Sequence, residues 1–142
     1  MSPNVVVFRD TLDNGLVELS EDRRFVIAVM TVAAPRFPAV VTEGEREGEV
    51  VFKEETVVEE LREKVRLVLR MAAGEGVGRL VLGAMGCGAY GCPPRAVAKE
   101  MKGVLGEEEF EGWFESVDFA VYAKGPVGMR NLEAFREVFG GE

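Results

Sequence analysis

The sequence predicts an α/β fold, a three-layer α/β/α sandwich with a mostly parallel sheet. Two apolar segments rich in β-branched residues, 5–8 and 25–32, are typical of strands that are buried on both faces. Further strand patterns alternate with amphipathic helical patterns later in the chain. Because 142 residues is the size of one domain and no internal repeat is evident, we expect a single domain over residues 1–142.

The first half of the chain contains turn signals between these strands. Asp13-Asn14-Gly15 predicts a turn, after which residues 16–19 could return as a short strand. Two short apolar segments, 40–41 and 50–52, flank a charged run at residues 43–48. This region is either a solvent-facing loop or an exposed hairpin with a solvated tip.

Three helices are predicted in the second half. Thr56 and Glu59 have the spacing of a capping box, and Leu61, Val65, Val68 and Ala72 follow helical spacing up to Gly74. After a strand at residues 80–82, a second helix is expected from Pro94 to Gly106, with its buried stripe at Val97, Met101, Val104 and Leu105. A strand at 117–123 precedes a last helix, for which Asn131 is the expected N-cap, Leu132, Phe135 and Phe139 the inward face, and Gly140-Gly141 the end.

The segment LVLGAMGCGAYGCPP, residues 80–94, is the candidate binding element. It passes from a strand into a loop that contains Gly83, Gly86, Gly88 and Gly91, and then into a helix. Glycines allow backbone N–H groups to approach a ligand, and a helix N-terminus favours negative charge, so the loop suits a phosphate group. The alternative interpretation is a tight strand-to-helix turn without a ligand.

Composition excludes several classes of function. The chain has no histidine, which removes Ser-His-Asp and Cys-His catalysis, and its two cysteines, Cys87 and Cys92, lack zinc spacing and are expected to be packed thiols. No metal site and no cofactor is therefore expected. A net charge of −8 argues against broad nucleic-acid binding. The apolar runs are too short to span a bilayer, and no secretion signal is evident, so we expect an intracellular protein, cytoplasmic or nuclear.

The 80–94 segment resembles the phosphate-binding loop of macro domains, in particular those of the microbial-type poly(ADP-ribose) glycohydrolase family. SPNVVVFRD, VMTVAAP, LREKVRLVLRMAA, FAVYA and NLEAF agree with that family in the same order. The resemblance implies a macro-domain-like fold that binds ADP-ribose. It also implies ligand-binding positions, with backbone donors to a diphosphate at Gly86, Cys87, Gly88, Ala89, Tyr90 and Gly91, neighbouring positions at Ala33, Ala34 and Pro35, and an adenine neighbour at Tyr122.

The resemblance has two limits. Members of the family carry an earlier Gly-Gly-Gly loop and a Gln-Glu-Glu element whose glutamate acts at the cleaved ribose; this part would precede Ser2, so we expect a truncated domain without a catalytic residue. Met85 and Cys92 also depart from the family's loop pattern. The expected partner is ADP-ribose or an ADP-ribosylated protein. The alternatives are an ADP-ribosyl hydrolase that uses an unrecognised carboxylate, and a non-binding protein that forms homodimers.

Overall fold

The computed structural model describes residues 1–43 and 46–140. From Val50 onward strands and α-helices alternate along the chain, and the predicted α/β class is confirmed. The chain divides into two compact units, residues 1–32 and residues 33–142. Among the described residues, no helix combines the length and the apolar character that are needed to cross a bilayer.

The first unit contains an antiparallel pair of strands. Strand β1 (Ser2–Val7) pairs with β2 (Phe25–Val29), and Val5 lies opposite Ile27. Gly15, with a φ of +71°, ends a short 3-10 turn at the predicted turn position. The prediction of a short strand at residues 16–19 is wrong. Leu16 has a φ of +54°, outside the extended region, so only a single bridge between Arg9 and Glu18 forms there.

The strands of this unit are not buried on both faces, contrary to the prediction. Every residue of β2 is exposed, and Phe25 and Val26 are 54% and 59% exposed. In the described part of the chain, β1 and β2 pair only with each other. A run of apolar β-branched residues predicts an extended backbone, but it does not specify which element covers the strand.

The second unit begins with a β-hairpin. Strands β3 (Val40–Thr42) and β4 (Val50–Phe52) pair antiparallel, with Val41 opposite Val51. The hairpin interpretation of this region is therefore confirmed. Of the charged tip predicted at residues 43–48, Gly44 and Glu45 lie outside the described residues, as does Gly141 at the end of the last helix.

Helix α1 (Glu55–Gly74) follows the hairpin and buries the predicted stripe of apolar side chains. Its predicted capping box is wrong. The N-cap is Glu54, which makes no side-chain capping hydrogen bond, so Thr56 lies in the first turn instead of preceding it. The largest fully buried side chains lie on α1 and on the helix at residues 94–105, and they form the core of this unit: Leu61, Val65, Leu69, Val97, Met101 and Val104.

The remaining elements bring two loops to one edge of a strand pair. Strand β5 (Arg79–Gly83) is parallel to β6 (Ser116–Ala120), and they are followed by helices α2 (Pro94–Leu105) and α3 (Gly125–Phe139), respectively. Phe119 of β6 packs on Phe135 and Phe139 of α3, with ring centroids 5.4 and 4.3 Å apart. Because the carboxyl ends of parallel strands lie at the same edge, the loops after β5 and β6 are neighbours.

Arginines on α1 form ion pairs with the segment that contains α2 and the turn after it. Arg62, Arg66 and Arg70 lie four residues apart, so they share one side of the helix. Arg62 donates to Glu100 at 2.6 Å, Nε and Nη2 of Arg66 donate to Glu107 at 2.9 and 2.7 Å, and Arg70 binds Glu109 at 2.7 Å. These ion pairs connect α1 with α2 and with the turn that follows α2.

Candidate functional site

The glycine-rich loop, residues 84–93, connects β5 with α2 and is held by its own backbone. The N–H groups of Cys87, Gly91 and Cys92 donate to the carbonyls of Ala84, Gly88 and Gly86, at 3.1, 3.2 and 3.0 Å. Gly86 and Gly91 adopt φ values of +73° and +68°, which residues with a Cβ rarely adopt. The loop therefore folds back on itself in two tight turns before the helix begins.

This geometry leaves backbone donors free. The N–H groups of Gly86, Gly88, Ala89 and Tyr90 make no hydrogen bond to any other residue in the described part of the chain. Three of them are consecutive, as in the concave backbone sites that bind anions. The loop also leads into the N-terminus of α2, where no side chain caps the helix and the dipole favours negative charge.

The loop packs against the segment that follows the first unit. A Cβ added to Gly86 would lie 2.5 Å from Sγ of Cys92 and 3.0 Å from Cβ of Ala34. The Cys92 thiol donates to the Pro35 carbonyl at 3.2 Å. Ala34 and Pro35 are thus brought to the loop, whereas Ala33 is exposed.

Both cysteines of the loop are buried and free, as predicted for packed thiols. Burial raises the pKa of the Cys87 thiol to about 12, and nearby Cys92 adds to this effect. Burial also raises the pKa of Cys92. The thiols are therefore protonated at neutral pH, which suits packing and weak hydrogen bonding and does not suit nucleophilic attack or metal binding. Within the described residues, no cluster of side chains could hold a metal ion.

Phe37 is a candidate site residue that the sequence analysis missed. Its N–H donates to the Tyr90 carbonyl at 2.9 Å, and its ring would lie 3.7 Å from a Cβ on Gly91. It has a φ of +48° and is 65% exposed, with the Arg36 guanidinium 5.3 Å from its ring centroid. Strained, exposed aromatic residues often belong to binding sites. The sequence does contain one indication of this residue: a large aromatic side chain in a segment that has neither helical nor strand periodicity and so predicts no buried position for it.

Asn131 was expected to cap the last helix, but this prediction is wrong. Helix α3 begins six residues earlier, at Gly125, because Pro126 is favoured in a first turn. Asn131 is only 6% exposed, and its Nδ2 donates to the Cys87 carbonyl at 3.0 Å. Its Oδ1 is buried and has no hydrogen-bond partner among the described residues. The side chain therefore ties α3 to the glycine-rich loop.

A cavity of about 620 Å³ adjoins the loop, and all of its lining lies in the second unit. The hairpin forms one wall through Val40 and residues 46–50. The loop and the start of α2 form the second, and α3 forms the third through Val127, Arg130, Asn131 and Ala134. A cavity of this size can accommodate a nucleotide-sized ligand.

A buried acid, Glu49, lines this cavity, and positively charged neighbours compensate the charge of its carboxylate. Its side chain is 4% exposed, and Arg95 and Lys99 reach the same carboxylate oxygen at 2.9 and 3.1 Å. The Arg46 N–H donates to the other oxygen at 3.1 Å. Burial by itself raises the pKa of Glu49, but the hydrogen bonds from Lys99 and Arg46 and the two positive charges outweigh it, so the pKa lies below its usual value.

The two tyrosines proposed from the resemblance are both exposed. Tyr90 projects from the glycine-rich loop, and Tyr122 lies in the segment that connects β6 with α3. Since β5 and β6 are parallel neighbours, the two tyrosines follow the same edge of the strand pair. Their roles toward a ligand stay predictions.

Comparison with known proteins shows that the chain is similar to proteins of known structure. No protein-family model and no curated protein matches the sequence. Over 98% of its length, the chain is similar to poly(ADP-ribose) glycohydrolase from Deinococcus radiodurans in complex with ADP-ribose, at 33% identity and a TM-score of 0.75. Over 97% it is similar to poly(ADP-ribose) glycohydrolase from Thermomonospora curvata, at 37% identity and a TM-score of 0.75.

The chain covers 51% and 46% of these two relatives, so it spans about half of their length. The similarity extends over nearly the whole of the present chain, and it confirms both the family resemblance and the macro-domain-like fold inferred from the sequence.

Proposed function

We propose that this chain, which is a poly(ADP-ribose) glycohydrolase-like domain, binds ADP-ribose or a related nucleotide diphosphate through its glycine-rich loop. The ligand is free ADP-ribose or ADP-ribose attached to a protein. In this proposal the backbone of residues 86–91 receives the diphosphate, and the chain does not hydrolyse the ligand.

The free backbone donors of the loop carry the proposal. An unpaired N–H group is costly in a folded protein unless water or a ligand satisfies it. Gly86, Gly88, Ala89 and Tyr90 present four such groups within five residues, next to an uncapped helix N-terminus. The oxygens of a diphosphate are acceptors that match this set of donors, and their negative charge matches the helix dipole.

The identity of the nucleotide is supported by the relatives and by the aromatic residues around the loop. The Deinococcus radiodurans relative was crystallised in complex with ADP-ribose. Here Tyr90 and Phe37 are both exposed, and their backbones are adjacent because the Phe37 N–H donates to the Tyr90 carbonyl. Exposed rings beside a phosphate-binding loop suit a ribose or a base.

The part of the proposal that excludes hydrolysis is supported by the carboxylate side chains of this chain. Glu49 is a buried carboxylate in the cavity, but Arg95 and Lys99 hold it in the ionised form. A general acid needs a raised pKa, and the pKa of Glu49 is lowered. The 142 residues also contain no glutamine, and so no Gln-Glu-Glu element.

Isothermal titration calorimetry with ADP-ribose tests the proposal. We expect saturable binding at one site, and we expect Gly88→Glu to abolish it, because a carboxylate would compete for the loop donors and repel the diphosphate. Space alone does not forbid this substitution, since nothing lies within 4 Å of an added Cβ at Gly88.

Gly103→Glu is the matched control. It adds the same charge on the exposed surface of α2, where an added Cβ also meets nothing within 4 Å, and it should leave binding unchanged. Absence of both heat and a thermal shift at millimolar ADP-ribose would refute binding. Release of ADP-ribose from a modified protein by the purified chain would refute the non-hydrolytic part of the proposal.

A further inference from the structure

The glycine-rich loop contains no cationic side chain, although its proposed ligand carries two negative charges. Residues 84–93 include neither lysine nor arginine, and the chain as a whole has a net charge of −8. Backbone donors alone would therefore have to bind a dianion in a field that repels it. A positive charge from elsewhere in the cavity would complete the site.

The cavity is lined by three arginines, and two of them are already paired. Arg46 binds Glu137 at 2.8 Å, and Arg95 binds both Glu49 and Glu137, at 2.9 and 3.0 Å. Arg130, on α3, is exposed and forms no hydrogen bond or ion pair with any residue of the described chain. Its guanidinium is thus available to a ligand, and binding would break no existing ion pair.

Asn131, next to Arg130, gives a second and independent indication of a ligand. Its Oδ1 is a buried acceptor without a partner in the described residues, and the residue lines the same cavity. Buried polar atoms without a partner are rare, and each calls for an explanation such as a bound water or ligand. An acceptor at this place suits a hydroxyl or amino group, which a nucleotide carries in addition to its phosphates.

We propose that Arg130 is a diphosphate-binding residue, which supplies from the α3 wall of the cavity the positive charge that the glycine-rich loop lacks. The inference rests on the proposed function. The planar guanidinium can bind two phosphate oxygens at once, while the N–H of Gly88, a free loop donor that lines the same cavity, binds another. Asn131 Oδ1 would accept a hydrogen bond from a hydroxyl or amino group of the same ligand.

Arg130→Gln tests this inference, with inorganic pyrophosphate and ADP-ribose as the two probes. We expect the substitution to weaken the binding of both probes by about ten- to a hundredfold, as is typical for the loss of a charged hydrogen-bonding partner. We also expect the affinity to depend less steeply on salt concentration than in the wild type, because one charge no longer takes part. Arg130→Lys should give an intermediate affinity.

Arg136→Gln is the control, since Arg136 is also exposed on α3 but does not line the cavity. Equal affinities of the wild type and Arg130→Gln for ADP-ribose would overturn the role of Arg130 and leave the proposed function intact. Arg130-dependent binding of pyrophosphate without binding of ADP-ribose would support the anion site and refute the proposed function. If the wild type binds neither probe, both proposals are wrong.

Discussion

At Gly86 the backbone has a φ of +73°, and an added Cβ would lie 2.5 Å from Sγ of Cys92. Both observations demand glycine, the first through backbone strain and the second through overlap with a buried atom. Gly88, two residues away, has neither constraint. The two glycines therefore differ in role: Gly86 allows the loop to form, and Gly88 keeps its surface accessible.

We predict that Gly86→Ala destabilises the protein by about 3 kcal/mol, the sum of a left-handed backbone conformation and an overpacked contact. Gly88→Ala, the matched variant, should change the free energy of unfolding by less than about 0.5 kcal/mol. Urea denaturation of the two variants and the wild type measures both effects. Similar midpoints for the two variants would contradict the assigned difference between these glycines.

The sequence predicted the glycine-rich loop as the centre of the candidate site, but it did not indicate a place there for the side chains of α3. The glycine-rich loop and its buried cysteines follow from the local pattern, and Ala34 and Pro35 came from the family resemblance. Asn131 contacts the Cys87 carbonyl and Arg130 lines the adjoining cavity, although both lie far beyond the loop in sequence and are brought to it by the parallel pairing of β5 with β6. A local sequence pattern does not indicate which residues distant in sequence will lie together in the fold.

At the scale of elements, α3 is both a packing element and part of the site. Phe135 faces β6, while Asn131, one turn earlier, donates to the Cys87 carbonyl. Asn131 resembled an N-cap in the sequence because asparagine is favoured there, but Gly125 and Pro126 had already started the helix. The same limit applies to Thr56, since the N-cap of helix α1 is Glu54, two residues before the cap that the pattern indicates.

We predict that Asn131→Asp is more destabilising than Asn131→Ala. Alanine removes the bond to Cys87 and leaves that carbonyl unpaired, at a cost of about 1–3 kcal/mol. Aspartate fills the same space, but it buries a carboxylate against the carbonyl oxygen and so adds repulsion and desolvation. Denaturation at neutral pH measures the order. An Asp variant as stable as the wild type would show that the hydrogen bond to the loop contributes nothing.

At the scale of the whole molecule, acid stability should depend on carboxylates whose pKa values are lowered in the folded state. Glu49 is one of them: burial opposes the shift, but hydrogen bonds from Lys99 and Arg46 prevail. Hydrogen bonds from Arg66 lower the pKa values of Glu59 and Glu107, and a hydrogen bond from Arg70 lowers that of Glu109. These groups bind protons less readily in the folded protein than in the unfolded chain.

We therefore predict full stability above the ordinary glutamate pKa of 4.5 and a progressive loss as the pH falls below it. Urea denaturation at pH values of about 7, 5 and 3.5 measures this loss. Glu49→Gln should be less stable than the wild type at neutral pH, because Arg95 and Lys99 lose their shared partner, and its stability should fall less on acidification. A wild-type stability that is independent of pH over this range would contradict the prediction.

The exposed strands β1 and β2 affect solubility. At neutral pH the net charge of −8 makes molecules repel one another, although Phe25, Val26 and Ile27 present apolar surface. Acidification removes that repulsion by protonating the carboxylates, while the apolar strand surface stays as it is. Precipitation should therefore set in at mildly acidic pH, so neutral or alkaline buffers of low salt are the appropriate conditions for concentrating this protein.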